Sequence, residues 1–409
     1  MRDKFEKAFE ELNSYCKAEG FQGWDPYDGL TSKLFQAIPV VPQKRLTRLM
    51  WIQLMKKLPI NLRPLLKIDK GFNAKGLALF ISGYAKLSQI ESYKTEAVES
   101  INVLAEKLIT MTVKGYAGNC WGYNFDWESR AFFQKKNTPT IVATTYVANA
   151  LLDAYEVTGN EHYREQAFSA ADFITKDLQR TYSKDGSFAF SYSPYDKTSV
   201  FNASLLGARL LSRIYAYTNE KQLAELAKLA VSYCCSFQNK DGSWFYSNLP
   251  FHQWIDNFHT GFNLECIYEY GLYSKDRSFE PHFQKGLEYY LRTFFDEEGR
   301  SKYYNSSLYP IDIHAPSQLV ITLSKAKVFK ENKQLVDRVL NWTIDNMQSS
   351  KGYFYFQKRK YYTNKIPYMR WSQGWIFYAL AHYLQETDQD VLTNKVEFGF
   401  FSTSNSAID

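Results

Sequence analysis

Apolar positions along the chain recur in two alternating styles. Stretches near 73–90, 139–158, 199–217, 257–272, 313–329 and 371–385 are apolar nearly all round, which predicts helices buried on both sides. Between them, stretches near 93–112, 161–179, 220–237, 280–295 and 332–347 carry one apolar stripe. Tyr163, Ala167, Phe168, Ala171, Ile174 and Leu178 form such a stripe and predict a helix with a solvent face. The apolar helices start 66, 60, 58, 56 and 58 residues apart. A steady period of this length, alternating fully and half-buried helices, predicts stacked helical hairpins with an inner and an outer layer.

The connectors repeat as well. Each striped helix is followed by a glycine and an aromatic residue: Gly115-Tyr116, Asp185-Gly186-Ser187-Phe188, Asp241-Gly242-Ser243-Trp244, Gly299 with Tyr303, and Gly352-Tyr353-Phe354. The glycine supplies a turn and the aromatic residue begins a short extended arm. Six inner helices need six outer ones, and only five follow in order. An amphipathic helix over 3–18, with Phe5, Ala8, Phe9, Leu12 and Tyr15 on one stripe, supplies the sixth. The expected fold is all-α, an (α/α)6 toroid with short β-hairpin arms; an open solenoid would leave its end helices in need of polar caps. The expected organisation is one toroid over 1–385, an irregular basic insertion over 19–71 and a tail over 386–409.

Within that insertion, residues 40–70 change the picture. Lys44, Arg45, Arg48, Lys56, Lys57, Arg63, Lys67 and Lys70 face one acid, Asp69, and are interleaved with Leu46, Leu49, Met50, Trp51, Ile52, Leu54 and Met55. A basic amphipathic helix of this kind can lie on an anionic membrane surface, or its apolar side can join the core. The overall charge of +6 is too small to argue for nucleic acid. Five scattered cysteines without a CxxC pair indicate neither a zinc knuckle nor a disulfide framework. No signal-peptide pattern and no long apolar span is visible, so a cytoplasmic protein, at most peripheral to the inner membrane, is expected. Aromatic residues make up 17% of the chain, including 31 Tyr, which suggests an amphipathic cleft, since a phenol ring is apolar and its hydroxyl is not.

In a ring, the loops entering the inner helices share one face, where free helix N–H groups favour anions. Those loops carry Tyr27-Asp28, Asp126-Trp127, Tyr195-Asp196, Trp254-Ile255-Asp256, Tyr309-Pro310-Ile311-Asp312 and Tyr368-Met369-Arg370-Trp371. Any one such aspartate is explained as a helix cap. Six aromatic–charge pairs round one mouth suggest a sugar-binding cleft instead, with rings stacking on sugar faces. The densest stretch runs from Phe251 to Glu265, where His259 and Asn263 share a helix face one turn from Asp256. A histidine beside a carboxylate is oriented and tuned for proton transfer, which singles out Asp256 with His259 and Asp312 with His314. The candidate catalytic residues are therefore His259, Asp256, Asp312 and Arg370, the last to hold a uronate or phosphate. Candidate substrate-binding residues are Tyr27, Asp28, Trp121, Asp126, Trp127, Tyr195, Asp196, Asn202, Trp254, Asn257, Asn263, His314, Tyr368 and Trp371. No ligand set with metal spacing is present, so neither metal nor cofactor is expected.

The hairpin period, the Asp-Gly-Ser-aromatic turns and the aromatic–acid loops over about 72–385 resemble the six-hairpin (α/α)-toroid superfamily of glycoside hydrolases, polysaccharide lyases and sugar epimerases. Residues 58–66 (LPINLRPLL) and 254–262 (WIDNFHTGF) are similar to uncharacterised proteins of bacterial polysaccharide-biosynthesis clusters, with a more distant likeness to the C-terminal toroid of D-glucuronyl C5-epimerases. The resemblance implies lyase, epimerase or hydrolase work on an acidic or lipid-linked glycan of the cell surface. Residues 238–244 (QNKDGSW) also resemble the QW repeat of terpenoid cyclases, but the DxDD and DDxxD clusters of that chemistry are missing. The metal-ligand spacings that prenyltransferases and lanthionine cyclases need are likewise missing. A non-catalytic glycan-binding scaffold in a polysaccharide-assembly complex is the other reading.

Overall fold

The computed structural model describes residues 1–129 and 132–388, and the expected tail lies outside the described residues beyond 388. Among the described residues, six helices line the axis: α4 (Ala74–Leu87), α6 (Ile141–Thr158), α8 (Phe201–Thr218), α10 (Asn257–Ser274), α12 (His314–Lys325) and α14 (Trp375–Thr387). Outside them stand α1 (Arg2–Ala18), α5 (Lys94–Ile109), α7 (Glu161–Asp172), α9 (Lys221–Ser236), α11 (Glu280–Phe294) and α13 (Lys333–Met347). Each inner helix packs on the next, and α14 returns to α4, so the ring is closed. The (α/α)6 toroid expected from the period is the observed fold.

The two helix styles have a direct physical cause. Every residue of α8 from Phe201 to Ile214 is buried, because outer helices cover one side and the axis the other. In α11 only Phe283, Gly286, Leu287, Tyr289, Tyr290 and Phe294 are buried, a single stripe facing inward. Inner-helix starts are fixed by capping side chains: Asn73, Thr140 and Asp256 accept from the backbone N–H of Gly76, Ala143 and His259. Each such cap is worth about 1 kcal/mol.

Ring closure shows in one repeated contact. Gly242, at φ +96°, turns so close to α11 that a Cβ would lie 2.3 Å from the Lys285 carbonyl oxygen. Gly352, at φ +88°, makes the same approach to the Glu11 carbonyl of α1, again 2.3 Å. The N-terminal helix thus occupies the place of an outer helix beside the last hairpin. Gln348 Nε2 to the Ala8 carbonyl and Arg2 to Asp388 (2.8 Å) fasten it there.

Short strands rise from the loops. β1 (Trp127–Glu128) pairs with β2 (Phe133–Gln134), and β3 (Arg180–Tyr182) with β4 (Phe188–Phe190). β5 (Ile311–Asp312), β6 (Gln357–Lys358) and β7 (Thr363–Asn364) form a three-stranded sheet. The last inner helix departs from expectation: Met369–Gly374 is a π-turn and the regular helix begins only at Trp375. The extra residue in the turn lets the Tyr368 carbonyl accept from both Ser372 and Gln373 and turns Arg370 towards the axis.

The basic segment contains two helices, α2 (Lys33–Gln36) and α3 (Arg45–Lys57). Several of its cations turn inward. Arg63 is fully buried and grips Asp28 at 2.8 Å, and Arg48 meets Glu128 at 2.6 Å. Lys56 donates to the Tyr27 hydroxyl at 2.7 Å. The outer face of α3 leaves Leu46 68% and Met50 63% exposed, with Leu54 also open to solvent.

Candidate functional site

At the end of the ring where the inner helices begin lies a cavity of about 310 Å³. Its walls come from five entering loops and from the inner face of α3, which supplies Leu49, Ile52, Gln53 and Lys56. Tyr27, Tyr123, Trp127, Tyr192, Tyr246 and Trp254 are among the rings round it.

The best-ordered chemistry in it is the pair at the head of α10. Asp256 caps the helix through Oδ1, while Oδ2 accepts from the Trp254 indole at 3.0 Å and from His259 Nδ1 at 2.7 Å. The carboxylate therefore holds the proton on Nδ1 and leaves Nε2 with its lone pair, without a protein partner among the described residues. Both Asp256 and His259 line the cavity. One aspartate thus starts a helix and aims a base.

Arg370 lines the same cavity and is held by two hydrogen bonds to Asp25, at 2.6 and 2.8 Å. Burial works against its charge, but the Asp25 carboxylate outweighs burial and keeps the guanidinium protonated. His314 lies flat between Phe258 (centroids 4.4 Å) and Trp375 (4.1 Å), and neither ring nitrogen has a hydrogen-bond partner among the described residues. Burial first, and then Lys75, His259 and Arg370, push its pKa well below the usual histidine value, so the ring is neutral. The cavity phenols are also neutral: burial raises Tyr246 and Tyr303 far above the ordinary tyrosine range.

Of the residues singled out in the sequence, His259, Asp256, Arg370, Tyr27, Trp127, Asn202, Trp254, His314 and Trp371 line the cavity. Asn263 borders a small recess behind Asp256 and His259. The others are placed elsewhere. Asp312 is fully buried behind the wall, accepting from Gln357 (2.6 Å), the Trp371 indole (3.0 Å) and the His314 backbone (3.0 Å). It positions cavity residues rather than facing a ligand. Asp28 is spent on Arg63, and Tyr368 lies under that same guanidinium at 4.7 Å.

Trp121 is a core residue whose indole donates to the Leu108 carbonyl. Asn257 points outward, accepting from the Tyr290 hydroxyl. Asp126 closes a turn on the Lys136 N–H, and Asp196 does so on Ser193 and Thr198. Tyr195 is 74% exposed on the outer surface. The expectation that every loop acid faces the mouth fails for Asp126 and Asp196 because local turn N–H groups are nearer than the axis.

Sequence reasoning missed Lys75, Lys56, Tyr123, Tyr192, Tyr246, Tyr303, Glu128 and Asp25. For Lys75 a signal existed: it stands alone among apolar neighbours in the first turn of α4, the end where a cation opposes the helix dipole. No group of three or more His, Cys, Asp or Glu side chains suited to a metal occurs among the described residues. The carboxylates on the cavity wall, Asp256 and Glu128, are engaged by His259 and Trp254 and by Arg45 and Arg48.

No family model matches the sequence, and no curated protein sequence does. Among solved structures, the unsaturated glucuronyl hydrolase of Bacillus sp. GL1 is similar over 96% of this chain and 98% of its own, at 12% identity and TM-score 0.60. The cellobiose 2-epimerase of Bacillus thermoamylovorans is similar over 79% and 90%, at 11% identity and TM-score 0.59. A GH76 α-mannanase of Bacteroides thetaiotaomicron is similar over 78% and 89%, at 12% identity and TM-score 0.60. At such identities the likeness establishes the toroid fold alone.

Proposed function

We propose that the protein is an enzyme that moves a proton on a glycan, as an epimerase or lyase, with His259 as the acid–base group and Asp256 as its orienting partner. The observation that carries the reading is the Asp256–His259 hydrogen bond of 2.7 Å in a cavity walled by aromatic rings. Two-carboxylate hydrolysis needs a general acid and a second free carboxylate flanking the bond to be cut. The two cavity carboxylates are already engaged by other side chains, which favours proton transfer over hydrolysis.

His259 Nε2 would take the proton from a sugar carbon next to a carbonyl or carboxylate. The cationic groups Arg370 and Lys56 would stabilise the enolate-like charge that develops. In an epimerase a neutral phenol such as Tyr246 or Tyr303 returns a proton to the opposite face. In a lyase the electrons expel the neighbouring glycosidic oxygen, which takes a proton. The activities of the similar structures, a sugar epimerase and a glucuronyl hydrolase among them, make a glycan the favoured substrate class.

The finer reading is work on a lipid-linked precursor of a surface polysaccharide, at the membrane. What supports it is the outer face of α3, where an apolar groove of about 850 Å³ runs past Phe35, Met50, Trp51, Leu54 and Pro59. Leu49 and Gln53 line both the groove and the cavity, so a lipid and its sugar head could be held on the two sides of one helix. No described helix is long and apolar enough to cross a membrane.

Replacing His259 with Asn tests the catalytic assignment. Turnover should fall by about 10²–10⁴-fold with the melting temperature unchanged. Retained turnover in a folded variant would overturn it.

A further inference from the structure

At and just beneath the floor of the cavity, hydrogen-bond donors gather: Lys75 and His314 line it, and Tyr146 and Trp375 pack against them. Lys75 is 4% exposed, and among the described residues its ammonium has neither a carboxylate nor a hydrogen-bond partner. It sits 4.1 Å from the Tyr146 ring centre, 5.1 Å from Trp375 and 5.3 Å from Phe262. The Tyr146 hydroxyl, the Trp375 indole N–H and both nitrogens of His314, itself 2% exposed, are also buried and have no hydrogen-bond partner among the described residues. His314 stacks on Trp375, and Tyr146 meets Trp375 edge-on at 5.6 Å, so the four side chains form one cluster. Buried polar groups are bonded in the great majority of cases. A knot of orphans that are mostly donors is the imprint of a missing acceptor.

The surrounding carboxylates do not fill the role. Glu265 is taken by Arg209, Lys325 (2.5 Å) and Gln318. Asp25 is taken by Arg370, Asp256 by His259 and Trp254, and Asp312 by Gln357 and Trp371. Arg370, whose Nε and Nη2 hold Asp25, adds a positive charge over the floor, with Nη1 unengaged among the described residues.

We propose that Lys75 and His314, backed by Trp375 and Tyr146 and under the charge of Arg370, form an oxyanion subsite that takes the carboxylate or phosphate of an acidic sugar. The inference rests on the glycan reading above and adds the chemical class of its substrate. Burial first, then Arg370 and Arg209, press the Lys75 amine towards its neutral form, against the opposing pull of Glu265 and Asp25. An arriving anion restores the charge, so binding draws a proton from solvent.

The test is calorimetric titration at pH 8 with glucose, glucuronate and glucose 6-phosphate, each in two buffers of different ionisation enthalpy. One of the two anions should bind about tenfold or more tighter than glucose, with proton uptake that glucose does not cause. Lys75→Met should abolish both the preference and the uptake while keeping glucose affinity, and Trp375→Phe should weaken the preference with packing preserved. The stronger anion identifies the group as carboxylate or phosphate. Equal binding of all three sugars, or an unchanged preference in folded Lys75→Met, overturns the subsite and leaves the glycan reading standing. Binding of none of the three by the wild type counts against both.

Discussion

His259 and Lys75 illustrate two ways in which one residue's environment fixes its chemistry. His259 is aimed by a carboxylate that also caps its helix, so Asp256→Ala should remove both the orientation and the cap, the latter worth about 1 kcal/mol. The expected result is turnover reduced nearly as far as in the His259 variant, together with a small drop in melting temperature. Lys75 works in the opposite direction, against stability. Its folded pKa is depressed below the unfolded value of 10.5, so its favourable contribution is present only above that value and is lost as pH falls. Lys75→Met should therefore raise the melting temperature at pH 7, and the gain should shrink as the pH approaches 10. A melting series at several pH values checks this; a gain that grows with pH would contradict it.

The same residues show what a sequence reader can and cannot recover. Asp256 and His259 were visible because their spacing on a helix is fixed by the helix itself. Asp312 looked equivalent, two residues before His314, yet β5 turns it into the wall, where the Gln357 and Trp371 side chains claim it. Those partners lie 45 and 59 residues away, a distance over which spacing carries no information. Asp25 was passed over for Asp28, although it is Asp25 that holds Arg370.

Among the elements, α3 departs furthest from its sequence pattern. Its composition suggested one face towards membrane or core; in the structure it has two distinct tasks. The Leu49, Ile52 and Lys56 side closes the cavity, and the Leu46, Met50 and Leu54 side stays exposed. If the exposed side docks on an anionic membrane, replacing Leu46, Met50 and Leu54 together with Ser should abolish co-sedimentation with phosphatidylglycerol vesicles and leave the fold intact. Unchanged co-sedimentation would remove the membrane role. The inner helices were the most legible elements, since burial on both sides leaves an unbroken apolar run. Their exact starts were less so, as the π-turn before Trp375 shows: nothing in residues 369–374 announces that Arg370 will be turned inward to Asp25.

At the scale of the molecule, the toroid depends on α1 completing it. The 58-residue rhythm gave the hairpins, and a count of outer helices gave the missing partner. Closure is enforced by backbone approach rather than by polar contacts alone. Gly352→Ala should clash with the Glu11 carbonyl and strain a left-handed turn, at a cost of about 1–3 kcal/mol. Thermal melting would show it, and an equal loss is expected for Gly242→Ala, where the same turn meets α11. A harmless Gly352→Ala would mean that α1 is not held as an outer helix. With the ring closed, five loops and α3 share one mouth, and the proposed chemistry has a single place to occur.

That chemistry is tested most directly by running the reaction in D₂O with a panel of glucuronate- and galacturonate-containing oligosaccharides and analysing the recovered sugars by NMR. Proton transfer by His259 predicts that at least one member either gains carbon-bound deuterium, as a C–D epimer, or yields an unsaturated product, and that His259→Asn stops it. New reducing ends without carbon-bound deuterium or unsaturation, formed equally well by His259→Asn, would contradict the account.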